Sequence, residues 1–167
     1  SAASTLAAST LVSSSPVAQY VVGGTTFRIA SLSLKTAVSG SVATVRELRF
    51  QTTGTDAIES ITVGGVTAPV ISGGTTTVSG LSIAISSTGT TVPVTVKFSG
   101  FQNSTTGGSL QASVASVYVT LGHIEATSGS GTVITNVTPL NSNTMKLVAS
   151  KPTVTGPASA TGPTLTT

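Results

Sequence analysis

Apolar and polar residues alternate over short runs along most of the chain. In TVPVTVKF, Val92, Val94, Val96 and Phe98 share one face and Thr91, Pro93, Thr95 and Lys97 the other. That period of two marks a half-buried strand. Leu81, Ile83 and Ile85 line up in the same way, as do Met145, Leu147 and Ala149, while Leu48 and Phe50 oppose Glu47 and Arg49. Further strands are expected at 17–22, 26–34, 58–63, 66–71, 110–121 and 132–138. Two of these change parity midway. Phe27 and Ile29 lie on one phase and Leu32 and Leu34 on the other; Leu110, Ala112 and Val114 give way to Val117, Val119 and Leu121. A bulge, or a strand passing from one sheet to another, produces such a change. No stretch longer than two turns carries a helical apolar stripe free of breakers.

Turn signals separate the runs: VGG at 22–24 and again at 63–65, SGG at 72–74, STG at 87–89 and TTGG at 105–108. About ten short strands with glycine-rich turns and no helix predict an all-β chain. The expected architecture is an antiparallel β-sandwich, Ig-like or pilin-like, with an extended N-terminal tail strand. The GG pairs recur at irregular spacings, which excludes a solenoid.

At 167 residues the chain suits one domain with one core. Only 7% of residues are charged, against roughly 25% in ordinary soluble domains. Ser and Thr supply about a third of the chain and take over the solvating role. No apolar run reaches the roughly 20 residues needed to span a bilayer as a helix, so no membrane span is expected. The net charge of +3 comes from scarce acids and scattered bases. Nucleic-acid binding, which needs a concentrated basic face, is not expected. The absence of cysteine removes disulfides and thiolate metal sites. With four carboxylates in all, few groups exist whose protonation could unfold the protein. No initiator Met or apolar leader precedes Ser1, and a processed, secreted protein is the expectation.

Catalytic chemistry finds little to build on. His123, the single histidine, stands in TLGHIEA two residues before Glu125. No G-x-S-x-G elbow accompanies it, so a strand-end or loop histidine is expected rather than the base of a serine hydrolase. Asp56 and Glu59 are spaced to flank one loop. Paired-carboxylate glycosidase chemistry also calls for a sugar cleft, and the chain has no Trp. Calcium would need more oxygen ligands than these two supply. Glu47, Asp56, Glu59 and Glu125 are therefore expected to be ordinary solvated charges. No catalytic residue, cofactor or metal is predicted. Asn103 in NST and Asn136 in NVT are N-glycosylation sequons. Asn103, in a Gly/Ser/Thr loop, is the better candidate, since Asn136 falls mid-strand.

Three segments follow: a tail at 1–15, a sandwich at 16–150 and a Pro/Thr-rich C-terminal segment at 151–167. The tail, SAASTLAASTLVSSS, holds neither proline nor glycine, so every residue keeps its ladder groups. Read as a strand, it places Leu6, Ala8, Thr10 and Val12 on one face and Thr5, Ala7, Ser9 and Leu11 on the other. Small alternating side chains suit a groove in a neighbouring copy, where strand addition supplies main-chain bonds and register. Head-to-tail contacts of this kind do not close and generate filaments. Pro152, Pro157 and Pro163 make the C-terminal segment a poorer donor.

This tail, the helix-free Ser/Thr-rich sandwich, the absent cysteine and the sequons together resemble the archaeal thread-type pilins, which are similar in architecture to bacterial chaperone–usher pilins. The resemblance implies a secreted, non-enzymatic fibre subunit joined to identical subunits by donor-strand complementation, with Thr5, Leu6, Ala8, Thr10, Leu11 and Val12 at the polymer interface and N-linked glycans at the sequons. The missing cysteine pair favours the archaeal comparison over the bacterial one. Two rival readings are a module of a cell-surface S-layer or adhesin protein, and a hydrolase built on His123.

Overall fold

The computed structural model describes residues 5–102 and 108–150. They form fourteen strands and no helix. In chain order these are β1 (Thr10–Leu11), β2 (Tyr20–Val22), β3 (Thr26–Leu34), β4 (Val42–Thr52), β5 (Ile58–Val63), β6 (Val66–Pro69) and β7 (Thr76–Val78). There follow β8 (Ile83–Ser86), β9 (Thr90–Phe98), β10 (Val114–Val117), β11 (Val119–Ser128), β12 (Val133–Asn136), β13 (Leu140–Asn141) and β14 (Met145–Val148). The expected all-β sandwich is the observed fold.

One sheet runs β1-β3-β9-β5-β6 and the other β12-β11-β4-β7, with β8 also paired to β4 and β13 to β11. A small third sheet, β10-β14-β2, contains the parallel pair β14–β2. Two strands pass directly out of this small sheet. β2 leads into β3 across three residues, and β10 leads into β11 across Tyr118 alone. The single core draws on all three sheets: Ile29, Val94 and Phe98 from the first, Val45, Leu48 and Leu121 from the second, Met145 and Leu147 from the third.

Both expected parity changes are present. In β3 the register with β9 shifts between Arg28 and Ala30, so Ile29 and Ala30 are both buried. The run expected at 110–121 is broken instead into β10, with a shift between Val114 and Val117, and β11 in a different sheet. Strands β7 and β13, three and two residues long, are too short to show a period in the sequence. Pro93 sits inside β9, a central strand. Its partner Ser31 turns its N–H and C=O away, toward Ser15 and Val12. The Pro93 nitrogen therefore faces the other side, beyond the last β5–β9 pair, Thr62 with Thr95, where no ladder donor is needed. The β5–β6 hairpin turns on Gly64 and Gly65, at φ 55° and 79°. Positive φ at both central residues is what a two-residue hairpin matching strand twist demands.

Candidate functional site: the N-terminal strand and its seat

Residues 5–12 lie against the chain's own β3. Ala7 N donates to Lys35 O, Ala37 N to Thr5 O and Val12 N to Ser31 O, and Leu6 bridges Thr36. Within β1, Thr10 pairs with Ser33 and Leu11 with Leu32. The tail, expected to suit a groove in a neighbouring copy, is the edge strand of the chain's own first sheet. Its other edge meets β12 at one bond, from Asn136 Nδ2 to Leu6 O at 3.4 Å. The segment thus runs along the side of the sandwich, with β3 on one flank and the end of β12 on the other.

The two faces of the tail differ from the strict alternation expected. Leu6 is buried in the core, but the next inward residues are Ser9 and Leu11, while Ala8 and Thr10 are exposed. Leu6 pairs with Thr36 but Thr10 with Ser33. One residue is therefore gained between the two pairs, and a one-residue gain reverses the face of everything after it. Thr5 is exposed and Val12 half-buried. The Ser9 hydroxyl is buried without a hydrogen-bond partner among the described residues.

Residues that the alternation did not single out hold the segment's exit. Ser15 Oγ donates to Ser31 O and accepts from Ser31 N, both at 2.8 Å and buried. Arg28 donates to Ser14 O, and Asn143 Nδ2 to Pro16 O at 2.8 Å. Only the position of Ser15 just before the first proline hinted at a turn; its partner lies sixteen residues away. Replacing Ser15 with Ala leaves the buried Ser31 N–H unsatisfied. A loss of about 1–3 kcal/mol is expected, measurable by urea denaturation at unchanged m-value.

The other candidates are dispersed. Asn136 is the last residue of β12, and its amide is engaged twice, since Oδ1 also accepts from Thr138 N at 2.9 Å. Asn103 and residues 151–167 lie outside the described residues. Asp56 and Glu59 line one shallow depression of about 410 Å³ beside Ser99. There the Ser99 hydroxyl donates to Asp56 O, and Asp56 takes a φ of 57°. His123 is not at a strand end or in a loop. It stands inside β11, opposite Arg49 of β4, with Glu125 opposite Glu47. The groove beside His123, about 520 Å³, is lined by Thr75 and Thr77 as well as Glu47 and Arg49, and among the described residues no serine lines it. No helix of the described residues is long and apolar enough to cross a membrane. Comparison of the chain with known protein families, curated proteins and solved structures finds no match.

Proposed function

We propose that this chain is a structural subunit of an extracellular filament, built head-to-tail by passing the N-terminal strand of each subunit to β3 of the next. The observation that carries the reading is the seat itself. Residues 5–12 pair with an edge strand and place Leu6 in the core, yet they are joined to the body only through residues 13–19. Once the bonds of Ser14, Ser15 and Pro16 to Arg28, Ser31 and Asn143 open, that connection, extended at about 3.3 Å per residue, reaches about 23 Å. Exchange of an identical edge element between copies then reproduces every contact in trans, and repetition without closure gives a fibre. The intrachain fit is imperfect, with a one-residue slip and an unpartnered Ser9 hydroxyl. What the strand gives up on leaving one subunit, Leu6 burial and its ladder bonds, it regains in the same seat on the next. The likeness of the sequence to thread-type pilins points the same way and implies a secreted appendage, with N-linked glycans at the sequons.

The docked strand also favours a second reading. A sandwich with its edge strand already in place suits a self-contained module of a cell-surface S-layer or adhesin protein.

A disulfide trap separates the two. Thr10 and Ser33 are cross-strand partners, about 5.5 Å apart between Cα atoms in a hydrogen-bonded pair, inside the window a disulfide tolerates. The chain has no other cysteine. In the T10C/S33C double variant, oxidised after assembly, a filament former gives a covalent ladder on a denaturing gel. A module gives only a crosslinked monomer, and that result would sink the filament reading.

A further inference from the structure

We propose that Glu47, His123 and Glu125 form a binding site for one divalent transition-metal ion of the zinc class. It lies on the outer face of the six-stranded sheet and is independent of the filament reading. The chain has four carboxylates, yet two of them, Glu47 and Glu125, are direct cross-strand partners. Like charges placed opposite each other destabilise a sheet. Arg49 relieves Glu47 only in part: its Nε and a terminal nitrogen both contact Oε2, each at 2.7 Å. Neither of these contacts uses Glu47 Oε1.

The independent observation is the histidine. His123 Nε2 is a buried atom with no hydrogen-bond partner among the described residues. It stands 3.9 Å from Glu125 Oε2, too far for a hydrogen bond. An ion bound at about 2.0–2.2 Å from each atom would span such a gap. One donor atom from each of the three residues lies within 4.8 Å of the other two.

Two slips in strand register assemble this set. The β4–β11 pairing shifts between Leu121 and His123, and again between Glu125 and Ala126, where Arg46 is the extra residue. By strict alternation from the buried Leu121, His123 would point into the core. The extra residue at Gly122 turns it outward beside Glu125, while Ile124 and Ala126 stay buried. Bulges re-aim side chains in this way. The donor set, one imidazole and two carboxylates without thiolate, selects zinc and its neighbours over magnesium or calcium. Glu47 and His123 also line the groove with Thr75 and Thr77, so solvent there can supply a fourth ligand.

The test uses full-length, tag-free protein after chelator treatment, titrated with zinc chloride by calorimetry and with cobalt chloride by visible absorption. One ion per chain is expected, with tetrahedral cobalt bands, and calcium should not compete. His123→Ala and Glu125→Gln should each weaken zinc binding at least about tenfold, whereas Arg49→Gln, which frees Glu47, should retain it. Because the chain has one histidine, its imidazole resonances in the unmodified protein report occupancy without any substitution. Saturable movement of those resonances by zinc supports the site. Unmoved resonances up to about 1 mM zinc, or binding indifferent to His123→Ala, would overturn it.

Discussion

A chain lacking residues 1–15 should form no filaments and should melt well below the intact protein. Leu6 is 8% exposed and belongs to the core. Loss of a buried leucine side chain alone typically costs about 2–5 kcal/mol. At about 2–4 °C per kcal/mol for a domain of this size, the midpoint falls by about 4–20 °C. The deletion also strips β3 of its neighbour. Lys35 O, Ala37 N and Ser31 O lose their partners from the tail, and an unpaired, partly apolar edge is prone to aggregate. A synthetic peptide of residues 1–15, added in excess, should bind that edge in trans and raise the midpoint in a concentration-dependent way. Calorimetric melting with and without peptide, together with negative-stain imaging, reads both effects. Filaments formed by the truncated chain would show that the tail is not the donor. Rescue of the melting midpoint without any filaments from the intact chain would point to the module reading.

Replacing Phe98 with Ala should cost about 3–5 kcal/mol, the usual penalty for emptying a buried phenylalanine site. Phe98 is fully buried at the end of β9, paired with Ile58 of β5, and its ring lies 5.9 Å from that of Phe27. Close packing around β9 leaves little room for the site to collapse, because β3 and β5 flank it on both sides. Phe27 is only half-buried, so Phe27→Ala should cost distinctly less. The double variant isolates the ring pair, expected at about 0.5–1.5 kcal/mol. Urea denaturation of the four proteins measures all three values. A Phe98→Ala loss below about 1 kcal/mol would mean that the core is packed differently around β9.

Much of this fold was legible in the residues. The alternation of Val92, Val94, Val96 and Phe98 is matched residue by residue in β9, and the spans expected at 26–34 and 58–63 coincide with β3 and β5. Glycine pairs marked the hairpin at Gly64–Gly65 for a local reason, since the backbone there takes positive φ. The candidate sites were read less well. The two faces assigned to the tail reversed after Leu6, and His123, expected in a loop or at a strand end, stands mid-strand among charges from β4.

The division has one physical cause. Period, turn chemistry, missing helix stripes and a tail without proline or glycine are properties of neighbours in sequence, so the chain alone determined an all-β sandwich with a pairing-competent N-terminus. A bulge depends on where a distant partner strand places its hydrogen bonds, and a single extra residue exchanges inside for outside. Tertiary structure therefore decided that Ser9 and Leu11 rather than Ala8 and Thr10 face inward. It also decided that Ser15 locks onto Ser31, and that Gly122 and Arg46 turn His123, Glu125 and Glu47 toward one another on the same face.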